Sequence, residues 1–167
     1  TVEMAYYVTE NEEAEQLLAV LTAQNAFVKC LPDGVTYRFH HMMKACAERT
    51  FLTLAPAKQQ NYRERFGLWY EDNRQYLHAM AAYRKSGNYG ALLRIIQKDA
   101  GILLSSLNPQ EVIDGIGECP ESVLKAHPLA ILVLMRSMFN WRQIPKMMEM
   151  KGLLMASIAE HPELSAQ

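Results

Sequence analysis

The sequence predicts a mainly α-helical fold with one β-hairpin in its first quarter, and three observations indicate it. Over most of the chain the apolar residues recur at intervals of three and four, which is the period of an amphipathic helix. Around residues 27–39, two short runs rich in β-forming residues flank a Pro-Asp-Gly turn. Further along the chain, short helical segments are joined by tight turns, which indicates antiparallel neighbouring helices.

Composition limits the classes of partner. The 167 residues are 50% hydrophobic and carry a formal net charge of -1, which gives no electrostatic reason to expect nucleic acid binding. The longest apolar run, LAILVLM at 129–135, is much shorter than the roughly 20 residues that cross a bilayer, so we expect no membrane partner. Three cysteines without a C-x-x-C pair favour a reducing, cytoplasmic compartment.

The first helix is predicted to begin at Thr9. Thr9 and Glu12 have the spacing of a capping box, in which the hydroxyl and the glutamate each accept a backbone hydrogen bond. Apolar residues then fall on one face of a helix at Ala14, Leu17, Leu18 and Leu21. We expect that face to be buried and the surrounding glutamates to face solvent.

A β-hairpin is predicted at about 27–39, where FVKCL and VTYRF flank PDG. Pro32 presets the turn, and Gly34 can supply a positive φ. Helical spacing resumes from His41 to about Leu54. Helix, hairpin and helix in this order are typical of the second half of a winged-helix domain, so we assign residues 1–55 to a partial winged helix.

Only helices are predicted from Pro56 onward. Pro56 suits the first turn of a helix, Gly87 suits a helix end, and Asn88 suits the cap of the next helix. Between Pro56 and Gly87 lies an aromatic stripe at helical spacing, which we interpret as core: Tyr62, Phe66, Trp69 and Tyr70.

A faint internal repeat supports helix pairs in this second part. Residues 82–97 align with 134–149 at an offset of 52 residues, which pairs Asn88 with Asn140. Repeated helix pairs that cannot bury a face alone stack into solenoids, whose concave surfaces bind peptides or other domains. We therefore predict antiparallel helix pairs over 56–167.

Few residues have the pattern of a catalytic or metal site. Adjacent His40 and His41 point in different directions, and no Cys, Asp or Glu three or four residues on completes a ligand set. Nothing in the sequence pairs His40 with a nucleophile, and neither glycine-rich phosphate-loop motif occurs. We expect no metal site and no enzyme activity, and the residues alone favour a structural role for one histidine at the strand-to-helix junction.

Five phrases occur in order along most of the chain: NAFV, YRFHHMM, FGLWYEDN, YLHAMAAYRKSGNYGALLRII and VLKAHPLAILVLMRSMF. In this order they resemble the middle of large, ATP-binding, LuxR-family transcription regulators of bacteria of the MalT type. The chain departs from the family pattern at three places. His41 replaces the proline after the motif histidine, Met42-Met43 replace Leu-Phe, and DNRQ replaces glycine-like positions.

The resemblance implies an architecture for the parent protein. An ATP-binding signal-transduction module would precede the winged helix, a helical repeat sensor would follow it, and a helix-turn-helix would end the protein. The repeats would form a TPR-like right-handed superhelix at 56–167. We expect this chain to be an internal fragment that starts within the winged helix and lacks both the P-loop domain and the DNA-reading helices.

The resemblance also implies partners. They would be the other domains of the parent regulator, together with a small-molecule inducer or an inhibitory protein on the helical repeats. DNA would be bound only through the missing C-terminal domain. The fragment would hold no cofactor, whereas the parent would bind ATP or ADP and hydrolyse ATP slowly as a switch.

His40 acquires a candidate role from the same resemblance. In related signal-transduction ATPases, a winged-helix histidine at the strand-to-helix junction reaches the β-phosphate of ADP and holds the resting state closed. His40 occupies that position in FHH at 39–41, with His41 in place of an acid. His40 is therefore the candidate ADP phosphate sensor, and it would act only together with the missing ATPase domain.

Two other functions stay open. A free-standing helical-repeat scaffold for protein partners would show the same helical pattern without any link to transcription. Alternatively, the winged helix would itself read DNA. Its wing carries only Lys29 and Arg38 against Asp33, which is little charge for the phosphate contacts that dominate such binding.

Overall fold

The computed structural model describes residues 1–24 and 27–160, which fall into two compact units with a boundary between Arg74 and Gln75. The described residues are mainly helical with a single two-stranded antiparallel sheet, as the sequence predicts. This agrees with a partial winged helix followed by helical repeats. The predicted division into domains at 1–55 and 56–167 stays a prediction.

The first unit contains four helices and the hairpin among its described residues. Helix α1 packs against α2 and α4, and α2 packs against β1. The core includes Val8, Ala14, Leu18, Val28 and Trp69. In chain order the elements are α1 (Val2–Thr9), α2 (Ala14–Ala23), β1 (Val28–Cys30), β2 (Tyr37–Phe39), α3 (His41–Leu52) and α4 (Pro56–Asp72).

The prediction that a helix begins at Thr9 is wrong, because Thr9 ends one. The Thr9 hydroxyl donates to the backbone oxygen of Ala5 at 2.6 Å, one turn back, instead of capping a following helix. Glu10 then has a φ of 55°, which terminates α1. Asn11 Oδ1 accepts from the backbone N–H of Glu13 at 2.9 Å and turns the chain into α2.

The predicted hairpin is confirmed. Val28 pairs with Phe39, Lys29 with Arg38, and Cys30 with Tyr37. Asp33 Oδ1 accepts from the backbone N–H groups of Val35 at 3.1 Å and Thr36 at 2.9 Å, and Gly34 has the φ of 71° that its turn requires. Hydrogen bonds from Thr36 and then Val35 lower the pKa of Asp33, so its charged carboxylate stabilises the turn.

Up to residue 160, where its description ends, the second unit consists of helices and one 3₁₀ turn at Leu103–Ser106. Helix α5 packs against α6, α9 against α10, and α6 also contacts α8 and α9. Aliphatic residues such as Leu93, Ile131 and Leu134 are fully buried between these helices. The helices are α5 (Tyr76–Ser86), α6 (Tyr89–Lys98), α7 (Pro109–Gly117), α8 (Glu121–Lys125), α9 (Pro128–Asn140) and α10 (Ile144–Glu160).

Two helix pairs share the same connection. After α5, Gly87 has a φ of 75° and the backbone N–H of Asn88 donates to Tyr83 at 2.9 Å. After α9, Arg142 has a φ of 58° and the N–H of Gln143 donates to Met138 at 2.8 Å. In both connections a residue with a left-handed backbone conformation ends the helix in a Schellman motif. Arg142 lies 55 residues after Gly87, whereas the sequence alignment has an offset of 52 residues. The alignment is therefore displaced from the structural equivalence by three residues, almost one helical turn.

Candidate functional site

His40 lies between β2 and α3, at the junction that the sequence predicts. Its backbone is extended, with a φ of -63° and a ψ of 148°, and its N–H donates to Phe27 at 2.7 Å. The His40 ring accepts through Nδ1 from the backbone N–H of Met42 at 3.4 Å, which makes His40 the N-cap of α3. His41 is the first residue of α3, as expected. Contact between His40 and a nucleotide stays a prediction.

Aromatic rings surround this junction. The His40 ring centroid lies 5.6 Å from that of Phe27 and 4.1 Å from that of His41. Phe27 is 57% exposed and has a φ of 60°, a conformation that costs an aromatic residue on the order of 1–3 kcal/mol. The three rings, Phe27, His40 and His41, form an exposed aromatic cluster that the sequence pattern at Phe27 did not indicate.

Positive charge lies on the adjacent hairpin. Lys29 and Arg38 face each other directly across the two strands, and both are exposed. Like charges at directly opposed positions destabilise a hairpin. Neither cation forms an ion pair with another residue in the described part of the chain. Two cations without an ion-pair partner among the described residues therefore lie on the hairpin that adjoins the aromatic cluster.

Helix α3 exposes its apolar residues. None of its residues is buried, and Met42 and Leu52 are 60% and 65% exposed. At its C-terminal end, the Phe51 ring lies 6.3 Å from that of Tyr62, and the Arg63 guanidinium lies 5.4 Å from the Phe51 ring. The apolar spacing of the sequence therefore marks a helix correctly here but does not mark a buried face.

The second unit contains an apolar cavity of about 130 Å³. It lies between α5, α6, α7 and the residue that follows the 3₁₀ turn. Leu77 and Ala81, one turn apart on α5, line its open side. The other lining residues are Met80, Arg84, Leu92, Ile96, Leu107, Glu111, Val112, Gly115 and Ile116.

Arg84, which lines this cavity, forms an ion pair with Glu118. Arg84 Nε donates to Glu118 Oε2 at 2.8 Å, and Nη2 donates to Oε1 at 2.6 Å. These hydrogen bonds raise the pKa of Arg84 and lower that of Glu118. A Cβ atom at Gly115 would lie 3.3 Å from Arg84 Nε, so the glycine leaves room for the guanidinium to cross α7.

No pattern in the sequence indicates the cavity or the ion pair of Arg84. The partners Arg84 and Glu118 are separated by 34 residues, and no local pattern joins them. Gly115 inside a helix is the one signal that would have pointed to a close approach at this place. The cavity walls come from helices whose contacts only the folded chain defines.

Other candidate chemistry is limited among the described residues. No group of three or more His, Cys, Asp and Glu residues at 1–24 and 27–160 could hold a metal ion. Burial raises the pKa of the Cys119 thiol to about 11, so Cys119 is protonated and unreactive at neutral pH. None of the described helices has the length and apolar character that a bilayer crossing requires.

Comparison with known proteins places the hairpin and His40 within one family model. Residues 1–59 match the model of the MalT winged helix domain, which includes α1, α2, the hairpin and α3. This match supports a segment of a MalT-like regulator. No curated protein and no solved structure matches the chain.

Proposed function

We propose that the chain is a regulatory, signal-sensing segment of an ATP-dependent, LuxR-family transcription regulator of the MalT type. The match of residues 1–59 to the MalT winged helix domain carries the proposal. The helix pairs after α4 would begin a TPR-like superhelix that binds an inducer or an inhibitory protein. DNA binding would belong to a C-terminal helix-turn-helix outside this sequence, and the parent would act in the cytoplasm.

His40 would couple the winged helix to the nucleotide state of the parent. Because Nδ1 accepts a hydrogen bond from Met42, the neutral ring carries its proton on Nε2. The exposed Nε2–H is then the donor for the β-phosphate of ADP in an ATPase domain. Loss of this bond would release the resting state, and slow ATP hydrolysis by the parent would restore it.

Substitution of His40 in the full-length regulator tests the proposal. His40→Ala should loosen ADP retention and raise basal transcription. His40→Asn should do the same while keeping a good N-cap on α3, which separates nucleotide sensing from helix capping. Glu48→Gln, at an exposed position of α3 outside the aromatic cluster, is the matched control and should leave both properties unchanged. Unchanged ADP affinity and basal transcription in both His40 variants would contradict the role.

A second function, a free-standing helical scaffold for protein partners, is favoured by exposed apolar residues on the last helix pair. Leu129 and Phe139 on α9 and Met148 and Met155 on α10 are all more than half exposed. Such residues are typical of faces that bind other helices. The open reading frame discriminates the two functions, because the regulator requires a P-loop upstream and a helix-turn-helix downstream.

A further inference from the structure

The apolar cavity of the second unit has the size of a single ring. Its volume of about 130 Å³ is close to that of an engineered protein cavity, about 150 Å³, that binds benzene. Leu92, Ile96 and Val112 give it aliphatic walls, and Leu77 and Ala81 border its opening. A compact apolar group would therefore be enclosed on several sides while a polar substituent on it stayed near solvent.

Two charged residues, Glu111 and Arg84, line the cavity. Glu111 and Asp114 on α7 and Glu118, the residue after its end, are spaced at intervals of three and four, so they share a helix face. Gly115, which lines the cavity, and Glu111, at its mouth, belong to the same face. Glu111 is therefore the carboxylate at the cavity wall, while Asp114 and Glu118 lie beside it on the same helix face and do not line the cavity.

The three carboxylates on this helix face differ in their hydrogen-bond and ion-pair partners. Arg84 holds both oxygens of Glu118. Asp114 accepts from Gln110 Nε2 at 2.8 Å, a neutral donor. Glu111 is exposed, and within the described residues it forms no ion pair. A positive charge just outside the apolar space would therefore meet an uncompensated carboxylate.

We propose that this cavity binds a small apolar cation, in which a single ring or branched alkyl group carries an amine on a short arm. The ring would occupy the aliphatic space, and the ammonium group would pair with Glu111. Apolar enclosure with a few placed polar groups is the usual composition of ligand sites. A regulatory role for the cavity rests on the proposed function, because the ligand would act as an effector of the helical part. Binding of the ligand to the cavity does not depend on that function.

Benzylamine is a suitable probe for the 167-residue chain. In methyl-detected NMR, benzylamine should shift the signals of Leu77, Met80 and Ile96 saturably, with a dissociation constant on the order of 1 mM for so small a ligand. Neutral benzyl alcohol should bind more weakly by at least about 3-fold, and anionic phenylacetate should bind most weakly. Absence of saturable shifts in these methyl groups would overturn the proposal.

Two variants separate the apolar and the charged parts of the site. Ala81→Leu should fill the opening and weaken benzylamine binding at least about 10-fold, whereas Ala159→Leu, at an exposed alanine of α10, should not change it. Glu111→Gln, a surface change that keeps the fold, should remove the preference for benzylamine over benzyl alcohol. If the Ala81 variant binds benzylamine as tightly as the unmodified chain does, the cavity is not the binding site. If the Glu111 variant still prefers benzylamine to benzyl alcohol, Glu111 does not pair with the ammonium group.

The outcome is separable from that of the proposed function. If the open reading frame lacks a P-loop and a helix-turn-helix, the regulator is refuted while a measured cavity preference stands. If the regulator is confirmed and benzylamine does not bind, only the inference about the cavity fails.

Discussion

The hydroxyl of Ser157 donates a 2.6 Å hydrogen bond to the backbone oxygen of Lys125, and the Ser157 side chain is completely buried. This bond joins α10 to the last residue of α8 across 32 positions of sequence. A buried carbonyl without a donor costs about 1–3 kcal/mol. The bond therefore fixes the end of α10 against α8 in a way that apolar contacts alone would not.

Ser157→Ala should lower the free energy of unfolding by about 1–2 kcal/mol, because the Lys125 carbonyl loses its buried donor. Urea denaturation measures the change. Ser105→Ala is the matched control, since Ser105 is exposed and its hydroxyl bonds only to Ile102 nearby. That control should stay within about 0.5 kcal/mol of the unmodified chain. Equal effects of the two changes would contradict the prediction.

Gly101→Ala should destabilise the second unit by more than about 1 kcal/mol for two reasons. Gly101 has a φ of 81°, and an added Cβ would lie 2.7 Å from Val133 Cγ1. Gly117→Ala, in a helix with no neighbour within 4 Å of the added atom, should instead stabilise by roughly 0.5–1 kcal/mol. Thermal unfolding compares them, and a double variant with Val133→Ala should recover the part of the loss due to contact.

Arg142→Gly should raise the stability of the chain by about 0.5–1 kcal/mol, because Arg142 occupies a left-handed cap that glycine adopts without steric cost. The same exchange at Arg136, an exposed residue within α9, should lower stability by about 1 kcal/mol. Circular dichroism melting curves of both variants provide the measurement. A destabilised Arg142 variant would show that the arginine side chain contributes more than its backbone costs.

The stability of the second unit should fall as the pH drops through the titration of Glu118. The hydrogen bonds from Arg84 lower the pKa of Glu118, so the charged form is favoured in the folded state. This contribution is present above the ordinary value of 4.5 and is lost as the pH falls through the lower, folded pKa. Urea midpoints between neutral pH and about pH 3 should decline less steeply in Glu118→Gln than in Glu111→Gln. Parallel curves for the two variants would contradict the role of the ion pair.

Local signals in the sequence predicted much of the fold. Pro56 begins α4, Gly87 ends α5, and Asn88 caps α6 by accepting from Ala91 at 3.1 Å. Each of these residues acts through its own backbone conformation or a bond within one turn. The prediction failed at Thr9 because a hydroxyl can bond backward to its own helix as readily as forward to the next.

The sequence predicted the position of one candidate site but not that of the other. The position of His40 at the strand-to-helix junction follows from the hairpin and the helical spacing that adjoin it. The cavity does not, because its walls are brought together by contacts between α5, α6 and α7. Gly115 is a weak signal by itself, and its relation to Arg84 exists only in the folded chain, where a Cβ added at Gly115 would lie 3.3 Å from Arg84 Nε.

Because no residue of α3 is buried, its backbone amides lie close to solvent. The His40 cap and the contacts of Phe51 secure the two ends of this helix, while Ala45, Cys46 and Ala47 in its middle turn are exposed. Amides there should exchange with solvent deuterium through local opening of the helix, well below the free energy of global unfolding. The protection factors of these amides should therefore rise when another molecule covers α3, so they report on binding at this helix.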